Sequence, residues 1–319
     1  MDTASETEAK SDLIKTSPHI LGDIKGANPG PTIIAMGGIH GNEATSISAI
    51  RRALELLAPL QTEMKGRFVG IQGNISALKK GMRFNTEDMN RLWVASILDK
   101  IRRTSTENLS SLDRVEIKEL LKVLDPIVQS ESGEEIIFID LHTFSGKGGM
   151  FCITPRKERN IEVLSQLKIP LIFGIEQALQ GTSMEYVDDA GHIGFAFETG
   201  THGTKVAEDN AYAGLLILLV SSGLISAKKL QGFDQYYDYL MGKVEQYPHK
   251  VEYVYKHIIE EEDNFVMLAG FKNFDSIKKG DLLANDRNGE IRSLSDGYVL
   301  MPLYQKQGND GFFIVRDCE

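Results

Sequence analysis

Short apolar runs alternate along much of this 319-residue chain with stretches in which apolar side chains recur every three or four positions. The runs centre on Ile33, Val69, Ile137, Leu171 and Phe195. Such runs predict buried strands, and the spacing between them predicts helices with one apolar face. Strands separated by helices form a sheet that is covered on both faces. We therefore expect an α/β fold with a mixed, mostly parallel sheet.

The pattern changes after about residue 240. Short strand-like runs follow one another there, separated by turn signals such as Asn288-Gly289 and Asp296-Gly297. This pattern predicts a small C-terminal all-β domain. We accordingly expect an α/β domain over residues 1–240 that carries the functional site, and a β domain over residues 241–319 that borders it.

A His and a Glu stand three residues apart, as His40 and Glu43, in a glycine-rich turn directly after the apolar run at residues 32–36. In open α/β sheets, ligands bind beyond the carboxyl ends of the strands. Two further pairs have the same spacing: His249 with Glu252, and His257 with Glu260. Their surroundings predict an ordinary strand, so we interpret those two matches as accidental.

A further metal donor is offered by His142, which ends the apolar run at residues 136–141 together with Asp140. Alone, such a histidine also fits a hydrogen-bonded core or rim position. With His40 and Glu43 it gives two imidazoles and one carboxylate, the composition of a catalytic zinc site with a fourth position for water. Asp140 would orient a ligand.

The two cysteines, Cys152 and Cys318, are far apart and predict no thiolate zinc module.

A general base and a cationic group would complete a hydrolytic site. The candidate base is Glu198, which follows the apolar run at residues 193–197 and precedes a glycine. The alternative interpretation is a glutamate at a strand end that is exposed to solvent. Residues 83–91 contain Arg83, Asn90 and Arg91, and guanidinium groups suit an oxyanion or a carboxylate. A polar loop with local hydrogen bonds is the alternative here.

In this order, the motifs resemble those of the succinylglutamate desuccinylase and aspartoacylase family, itself similar to zinc carboxypeptidases. The resemblance covers residues 30–235, with a weaker likeness beyond. It implies a zinc carboxypeptidase-like fold, one zinc ion per chain and a role for each of seven residues. Zinc would be bound by His40, Glu43 and His142, water activated by Glu198, the scissile carbonyl polarised by Arg83, and a substrate carboxylate held by Asn90 and Arg91.

The chain departs from the aspartoacylase pattern in residues 185–192, where that enzyme has an additional arginine for the acidic side chain of its substrate. This segment contains no Arg or Lys, and Asp188 and Asp189 would repel a second carboxylate if they faced the pocket. N-acetylaspartate is therefore disfavoured as the substrate. His192 and Tyr304 are candidate substrate contacts, with a surface histidine and a packed strand aromatic as the alternatives.

The formal net charge of −10 disfavours nucleic acid as a partner, because phosphate backbones are bound by clustered Lys and Arg. Residues 1–13 are polar and acidic and lack the pattern of a signal peptide, which predicts a cytoplasmic protein. The apolar stretch at residues 211–225 falls short of the roughly 20 residues that cross a bilayer, so it predicts a packed helix and no membrane partner. Whether the protein forms a homo-oligomer stays open.

The leading hypothesis is a zinc hydrolase that cleaves the amide bond of an N-acyl amino acid or a similar small carboxylate-bearing substrate. A carboxypeptidase that trims peptides is the second hypothesis, because Arg91 could equally bind a C-terminal carboxylate. A binding protein that hydrolyses nothing is the third, and the presence of both Arg83 and Glu198 argues against it.

Overall fold

The structure, a computed structural model, describes residues 17–130, 133–260 and 262–319. The signal-peptide prediction for residues 1–13 lies outside these ranges. The helices are α1 (Thr45–Leu57), α2 (Ile75–Leu78), α3 (Ala95–Arg103), α4 (Leu112–Val128), α5 (Glu158–Ser165), α6 (Ser183–Asp189), α7 (Lys205–Ser221) and α8 (Phe233–Val244).

The first seven strands are β1 (Ile20–Lys25), β2 (Asn28–Gly37), β3 (Lys65–Gln72), β4 (Ile136–Phe144), β5 (Phe151–Ile153), β6 (Leu171–Phe173) and β7 (Ile193–Thr201). The others are β8 (Lys250–Ile258), β9 (Val266–Met267), β10 (Asp275–Ile277), β11 (Leu282–Asp286), β12 (Gly289–Arg292), β13 (Gly297–Leu300) and β14 (Asp310–Asp317).

Eleven of the described strands form one sheet in the order β1-β3-β2-β4-β7-β5-β6-β8-β14-β13-β10. Its centre is parallel, since β2 pairs in parallel with both β3 and β4, and β4 pairs in parallel with β7. The carboxyl ends of β2, β4 and β7 consequently meet at one edge. The predicted α/β fold with a mixed, mostly parallel sheet is confirmed.

Helices cover this sheet on both faces because its central strands carry apolar side chains on both. Ile33 of β2 belongs to a core built with α1, α7 and α8, whereas its neighbour Ile34 belongs to a second core built with α3, α4 and α6. The alternation follows from the two-residue period of a strand. The apolar stretch predicted as a packed helix lies largely in α7 and packs in the first core.

The C-terminal strands are antiparallel, as the turn signals predict. β14 pairs with β8 and β13, and β13 pairs with β10, so these strands extend the main sheet. A second sheet, β12-β11-β9, packs with them around a small core that includes Leu283, Phe312 and Ile314. The division of the chain at residue 240 stays a prediction.

Within the described ranges, none of the helices combines the length and the apolar composition that crossing a membrane requires.

Candidate active site

A tight glycine turn after β2 fixes the first two candidate ligands. Gly38 adopts a φ of +71°, which side chains rarely tolerate. A Cβ atom at Gly41 would stand 2.2 Å from the carbonyl carbon of Ala77, so only glycine allows this approach of two backbones. The turn leaves His40 and Glu43 buried at the carboxyl end of β2.

His40, Glu43 and His142 converge at the carboxyl ends of β2 and β4. The Nδ1 atom of His40 lies 2.9 Å from Oε1 of Glu43, and the Nδ1 atom of His142 lies 3.1 Å from Oε2 of the same carboxylate. One ligand atom of each residue lies within 4.8 Å of the others. The backbone N–H of Thr143 donates to Glu43 Oε2 at 3.0 Å and fixes the carboxylate further. These three buried side chains could hold a metal ion.

The outer nitrogen of each histidine faces a second carboxylate. His40 Nε2 lies 3.1 Å from Asp88 Oδ1, and His142 Nε2 lies 3.0 Å from Asp140 Oδ2. A carboxylate in this position accepts a hydrogen bond from Nε2–H, which leaves Nδ1 free as the ligating atom, the arrangement typical of metal-binding histidines. Asp140 stands where the sequence predicts a ligand-orienting carboxylate.

The donor set fits a divalent cation. Although burial opposes ionisation, the adjacent His40 and His142 hold the pKa of Glu43 well below its usual range. Burial also opposes a charged His142, but Asp140 and Glu43 raise its pKa well above the ordinary value. Two imidazole nitrogens and a carboxylate are donors that divalent cations accept, and a bound cation would also offset the buried negative charge of Glu43 and Asp140.

Glu198 lies in β7 directly opposite His142 of β4 and lines the same cleft. Its side chain is buried, and its Oε2 atom has no hydrogen-bond partner among the described residues. Burial raises its pKa to about 8. A buried carboxyl group of this kind is suited to proton transfer near neutral pH.

Arg83 also lines the cleft. Its Nη2 atom donates to Asp88 Oδ2 at 3.1 Å, and its Nη1 atom lies 3.6 Å from Glu43 Oε1. Its Nε atom is buried and has no partner among the described residues. Burial would lower its pKa, but Asp88 and Glu43 raise it, so the guanidinium is permanently charged.

Asn90 and Arg91 reach the cleft from the neighbouring loop. The Asn90 amide oxygen accepts the backbone N–H of Ser183 at 2.9 Å, and its nitrogen lies 3.5 Å from His142 Nε2. Arg91 donates to the Asn90 carbonyl and to Asp310 Oδ2, each at 2.8 Å. Arg91 is therefore already paired with an acid, which the sequence did not indicate.

His192 and Tyr304 do not line the cleft. The Nε2 atom of His192 lies 2.9 Å from the carbonyl of Val128, and the Tyr304 hydroxyl donates to the carbonyl of Leu268 at 2.7 Å. Tyr304 lies in a loop, so the expectation of a packed strand aromatic was wrong as well.

The acidic segment before Glu198 also faces elsewhere. Residues 183–189 form α6, and Asp188 pairs with Lys157. Asp189 is exposed and does not line the cleft. Repulsion from these two carboxylates would have required them to face the pocket, and they do not.

Several cleft residues had no role in the sequence-based prediction, and four of them matter for the charge and hydrogen bonding of the site. They are Asp88, His202, Gln305 and Asp310. Asp88 lies within the recognised motif, and His202 follows Glu198 by four residues, so proximity to the motifs was an available signal for both. Gln305 and Asp310 lie in the C-terminal segment, where nothing local marks them.

The cleft encloses about 870 Å³, counting its open mouth. Strand ends form its floor, and residues 301–310 contribute one wall. Within the described ranges, the His40, Glu43 and His142 cluster is the one group of three residues that could hold a metal ion. Neither His249 nor His257 belongs to such a group, as the sequence predicts.

Fold and site together define a mixed α/β protein with a candidate metal centre at the carboxyl ends of its parallel strands. The model of the succinylglutamate desuccinylase/aspartoacylase catalytic domain matches residues 29–221. The chain belongs to this family, a family of hydrolases, which confirms the resemblance seen in the sequence.

Curated relatives include succinylglutamate desuccinylases. That of Pseudomonas putida KT2440 is 29% identical over 131 residues, which span 40% of this chain and 36% of the relative. This alignment therefore covers little more than a third of that relative. The enzyme of Shewanella putrefaciens is 25% identical over 276 residues, 83% of this chain and 76% of the relative.

Solved structures share the fold. A succinylglutamate desuccinylase/aspartoacylase from Rhodobacter sphaeroides superposes with a TM-score of 0.68 at 15% identity, covering 93% of this chain and 88% of that one. The ectoine utilization protein EutE from Ruegeria pomeroyi superposes with a TM-score of 0.64 at 17% identity, covering 92% and 88%.

Proposed function

We propose that this protein is a zinc-dependent hydrolase that cleaves the amide bond of a small N-acyl amino acid. One observation carries the proposal: a buried carboxyl group with a raised pKa, Glu198, lines the same cleft as the His40, Glu43 and His142 cluster. A perturbed acid next to a candidate metal centre is the combination that metal-assisted hydrolysis requires.

The proposed ligands of zinc are His40, Glu43 and His142. Zinc bound there would lower the pKa of water from about 15.7 to about 7 and polarise the substrate carbonyl. Support comes from the burial of all three side chains and from Asp88 and Asp140, which face the outer nitrogens of the histidines. Other divalent metals suit the same ligands, so the identity of the metal is itself part of the proposal.

Glu198 is the proposed general base. As a carboxylate it would take the proton from the attacking water, and as an acid it would give that proton to the departing amine nitrogen. The apolar part of the cleft wall supports this role, because burial is what brings its pKa to about 8. A base with a pKa near the working pH is efficient in both directions.

The two arginines have separate proposed roles. Arg83 would donate to the carbonyl oxygen as negative charge develops there, a contribution of roughly 3 to 4 kcal/mol for a preorganised donor. Its unpartnered Nε–H group supports this role. Arg91 would bind the substrate carboxylate together with Asn90, through the N–H groups that the Asn90 carbonyl and Asp310 leave free.

The test combines metal analysis with an activity screen. Protein purified without chelator is analysed for metal, and release of free amine is measured from a panel of N-acyl amino acids and short peptides. We expect about one zinc per chain and amine release that is lost in Glu198→Gln. Glu176→Gln is the control, because Glu176 is a partly buried glutamate with a raised pKa outside the cleft.

Each other outcome has a definite meaning. Cleavage of peptides alone would replace the deacylase proposal with a carboxypeptidase. Bound metal with no hydrolysis of either substrate class would favour the non-catalytic binding protein. Full activity in a protein free of metal would overturn the mechanism.

A further inference from the structure

We propose that the cleft selects substrates with a single carboxylate and excludes those with a second one, and that Asp310 determines this specificity. The inference rests on the proposed hydrolase function for its kinetic test. Selectivity in binding can be measured without turnover, so the two proposals can fail separately.

Both arginines in the cleft already face acids. Among the described residues, Arg83 and Arg91 are the only lysine or arginine side chains that line the cleft. Arg83 donates to Asp88 at 3.1 Å and lies 3.6 Å from Glu43. Arg91 donates to Asp310 at 2.8 Å. A second substrate carboxylate would therefore find no unpaired guanidinium or ammonium group in the described lining.

Asp310 is held firmly beside Arg91. It is the first residue of β14, and its side chain is 18% exposed. Its Oδ1 atom lies 2.9 Å from Nζ of Lys256, a residue of β8. That ammonium group donates its hydrogen bond to the carbonyl of Ala178 at 2.7 Å and does not line the cleft. Arg91, Lys256 and Asp310 thus form a triad with one net positive charge.

One net positive charge matches one carboxylate. A guanidinium group has five N–H donors, and Arg91 gives one to the Asn90 carbonyl and one to Asp310. The remaining donors can bind one substrate carboxylate. A second carboxylate would meet Asp310 and Asp88 instead, and repulsion between like charges in a partly buried site weakens its binding.

Histidine does not supply the missing charge. Both ring nitrogens of His202 are engaged, Nδ1 with the Thr143 hydroxyl at 2.6 Å and Nε2 with Gln305 Oε1 at 3.2 Å. Burial also lowers the pKa of His202, which favours the neutral ring. The other two histidines of the cleft are the candidate metal ligands.

Much of the remaining lining is apolar. The side chains in question come from strands, helices and the C-terminal segment: Phe144, Ile153, Leu179, Met184, Leu303 and Phe313. Such walls favour apolar or neutral groups by removing them from water and penalise a charge that finds no partner. The substrate class is therefore an N-acyl amino acid in which neither the side chain nor the acyl group carries a carboxylate.

The test uses ligands of equal shape that differ in charge. N-acetylglutamine is compared with N-acetylglutamate, and N-succinamoylglutamine with N-succinylglutamine, so that a carboxylate replaces an amide of the same size first on the side chain and then on the acyl group. We expect the singly charged ligand to have at least about a tenfold higher kcat/KM in the wild type. The same preference is expected in Kd, measured calorimetrically on zinc-loaded Glu198→Gln.

Asp310→Asn tests the assigned residue. It keeps the size of the side chain and removes the charge, so Arg91 and Lys256 gain an unpaired positive charge, and the preference should narrow at least about threefold. Asp317→Asn is the matched control. Asp317 ends the same strand, accepts from the Tyr298 hydroxyl at 3.0 Å and lies outside the cleft. It should leave the preference unchanged.

The wild-type comparison needs no variant, so a poorly folded Asp310→Asn protein would not weaken it. Equal or better binding of the doubly charged ligands would overturn the proposed specificity. A result in which none of the ligands in the panel binds would overturn it as well. A preserved binding preference without any hydrolysis would support the specificity and reject the proposed function. A full wild-type preference in folded Asp310→Asn would remove Asp310 as its cause.

Discussion

Asp88 links His40 to Arg83. Its Oδ1 atom lies 3.1 Å from His40 Nε2, and its Oδ2 atom accepts from Arg83 Nη2 at 3.1 Å. Oδ1 also accepts the backbone N–H of Asn90 at 2.9 Å. Although burial opposes ionisation, His40 and Arg83 hold the pKa of Asp88 well below its usual range. One carboxylate therefore positions a candidate metal ligand and the arginine proposed to bind the oxyanion.

Asp88→Asn should weaken metal binding. The amide cannot accept from both His40 and Arg83 with equal strength, so His40 loses its fixed orientation, and changes of this kind lower metal affinity about 10- to 100-fold. Competition with a zinc-chelating dye measures the affinity. Asp23→Asn is the control, because Asp23 pairs with Arg67 away from the cleft. Unchanged affinity in Asp88→Asn would show that His40 does not depend on this contact.

Arg83→Gln should lower kcat more than it raises KM. A donor that acts on charge developing in the transition state contributes about 10²- to 10³-fold to kcat. Steady-state kinetics on the best substrate of the panel give both constants, and metal content is measured in parallel because Arg83 also lies near Glu43. Arg67→Gln removes a guanidinium outside the cleft and should leave kcat unchanged. A loss confined to KM would instead assign Arg83 to ground-state binding.

Metal binding should release protons, and metal affinity should rise with pH. In the metal-free protein His142 has a pKa well above its ordinary value, and burial raises that of Glu198 to about 8. At neutral pH the His142 ring and the Glu198 carboxyl group therefore both hold protons. A metal ion displaces them, because it binds the neutral imidazole and favours the ionised form of a nearby carboxyl group. As pH rises through these values the displaced protons are already gone, so the affinity reaches a plateau.

Zinc titrations by calorimetry, in buffers of different ionisation enthalpy, count the released protons. Glu198→Gln should release fewer than the wild type, and Glu176→Gln should match the wild type. Affinity that is independent of pH between about 6 and 8 would contradict the linkage of metal binding to these protons.

Asp113→Asn should destabilise the loop that presents Asp88. Asp113 is fully buried in α4 and accepts the backbone N–H groups of Asn85 at 3.0 Å and Thr86 at 2.8 Å. Burial alone would raise the pKa of Asp113, but these hydrogen bonds and the one from the Asn74 amide lower the pKa by more, so the net shift is downward. Hydrogen bonds to a charged group contribute about 1.5 to 3 kcal/mol each, so we expect a loss of at least about 2 kcal/mol.

Urea unfolding at pH 7 and at lower pH measures this loss. A carboxyl group with a lowered pKa stabilises the fold above its unfolded pKa of about 3.9, and that stability disappears as pH falls through the folded pKa. The difference between wild type and Asp113→Asn should therefore shrink in acid. Asp296→Asn, in an exposed turn, should change the free energy of unfolding far less. Equal effects of the two variants would refute the assignment.

Local sequence patterns predicted the fold and part of the site. The strand that precedes His40 and the strands that contain His142 and Glu198 were all recognisable from apolar runs. His40 lies three residues after β2, and His142 and Glu198 lie within the last four residues of β4 and β7, so each functional group was recognised together with its element. Parallel strands place their carboxyl ends at one edge, which is why these residues meet. The zinc and catalytic roles stay predictions.

The partners of these residues were decided by the tertiary structure alone. Asp88 is 48 positions from His40, and Asp310 is 219 positions from Arg91. The motif that contains Asp88 does not indicate its contact with His40. Nothing near Asp310 marks its contact with Arg91, which exists only once β14 has paired with β8 and the loop before β14 has reached the cleft. The sequence determined which chemical groups stand at the strand ends, since that depends on short-range patterns. The charge that surrounds them depends on long-range packing, and only the folded chain brings those side chains together.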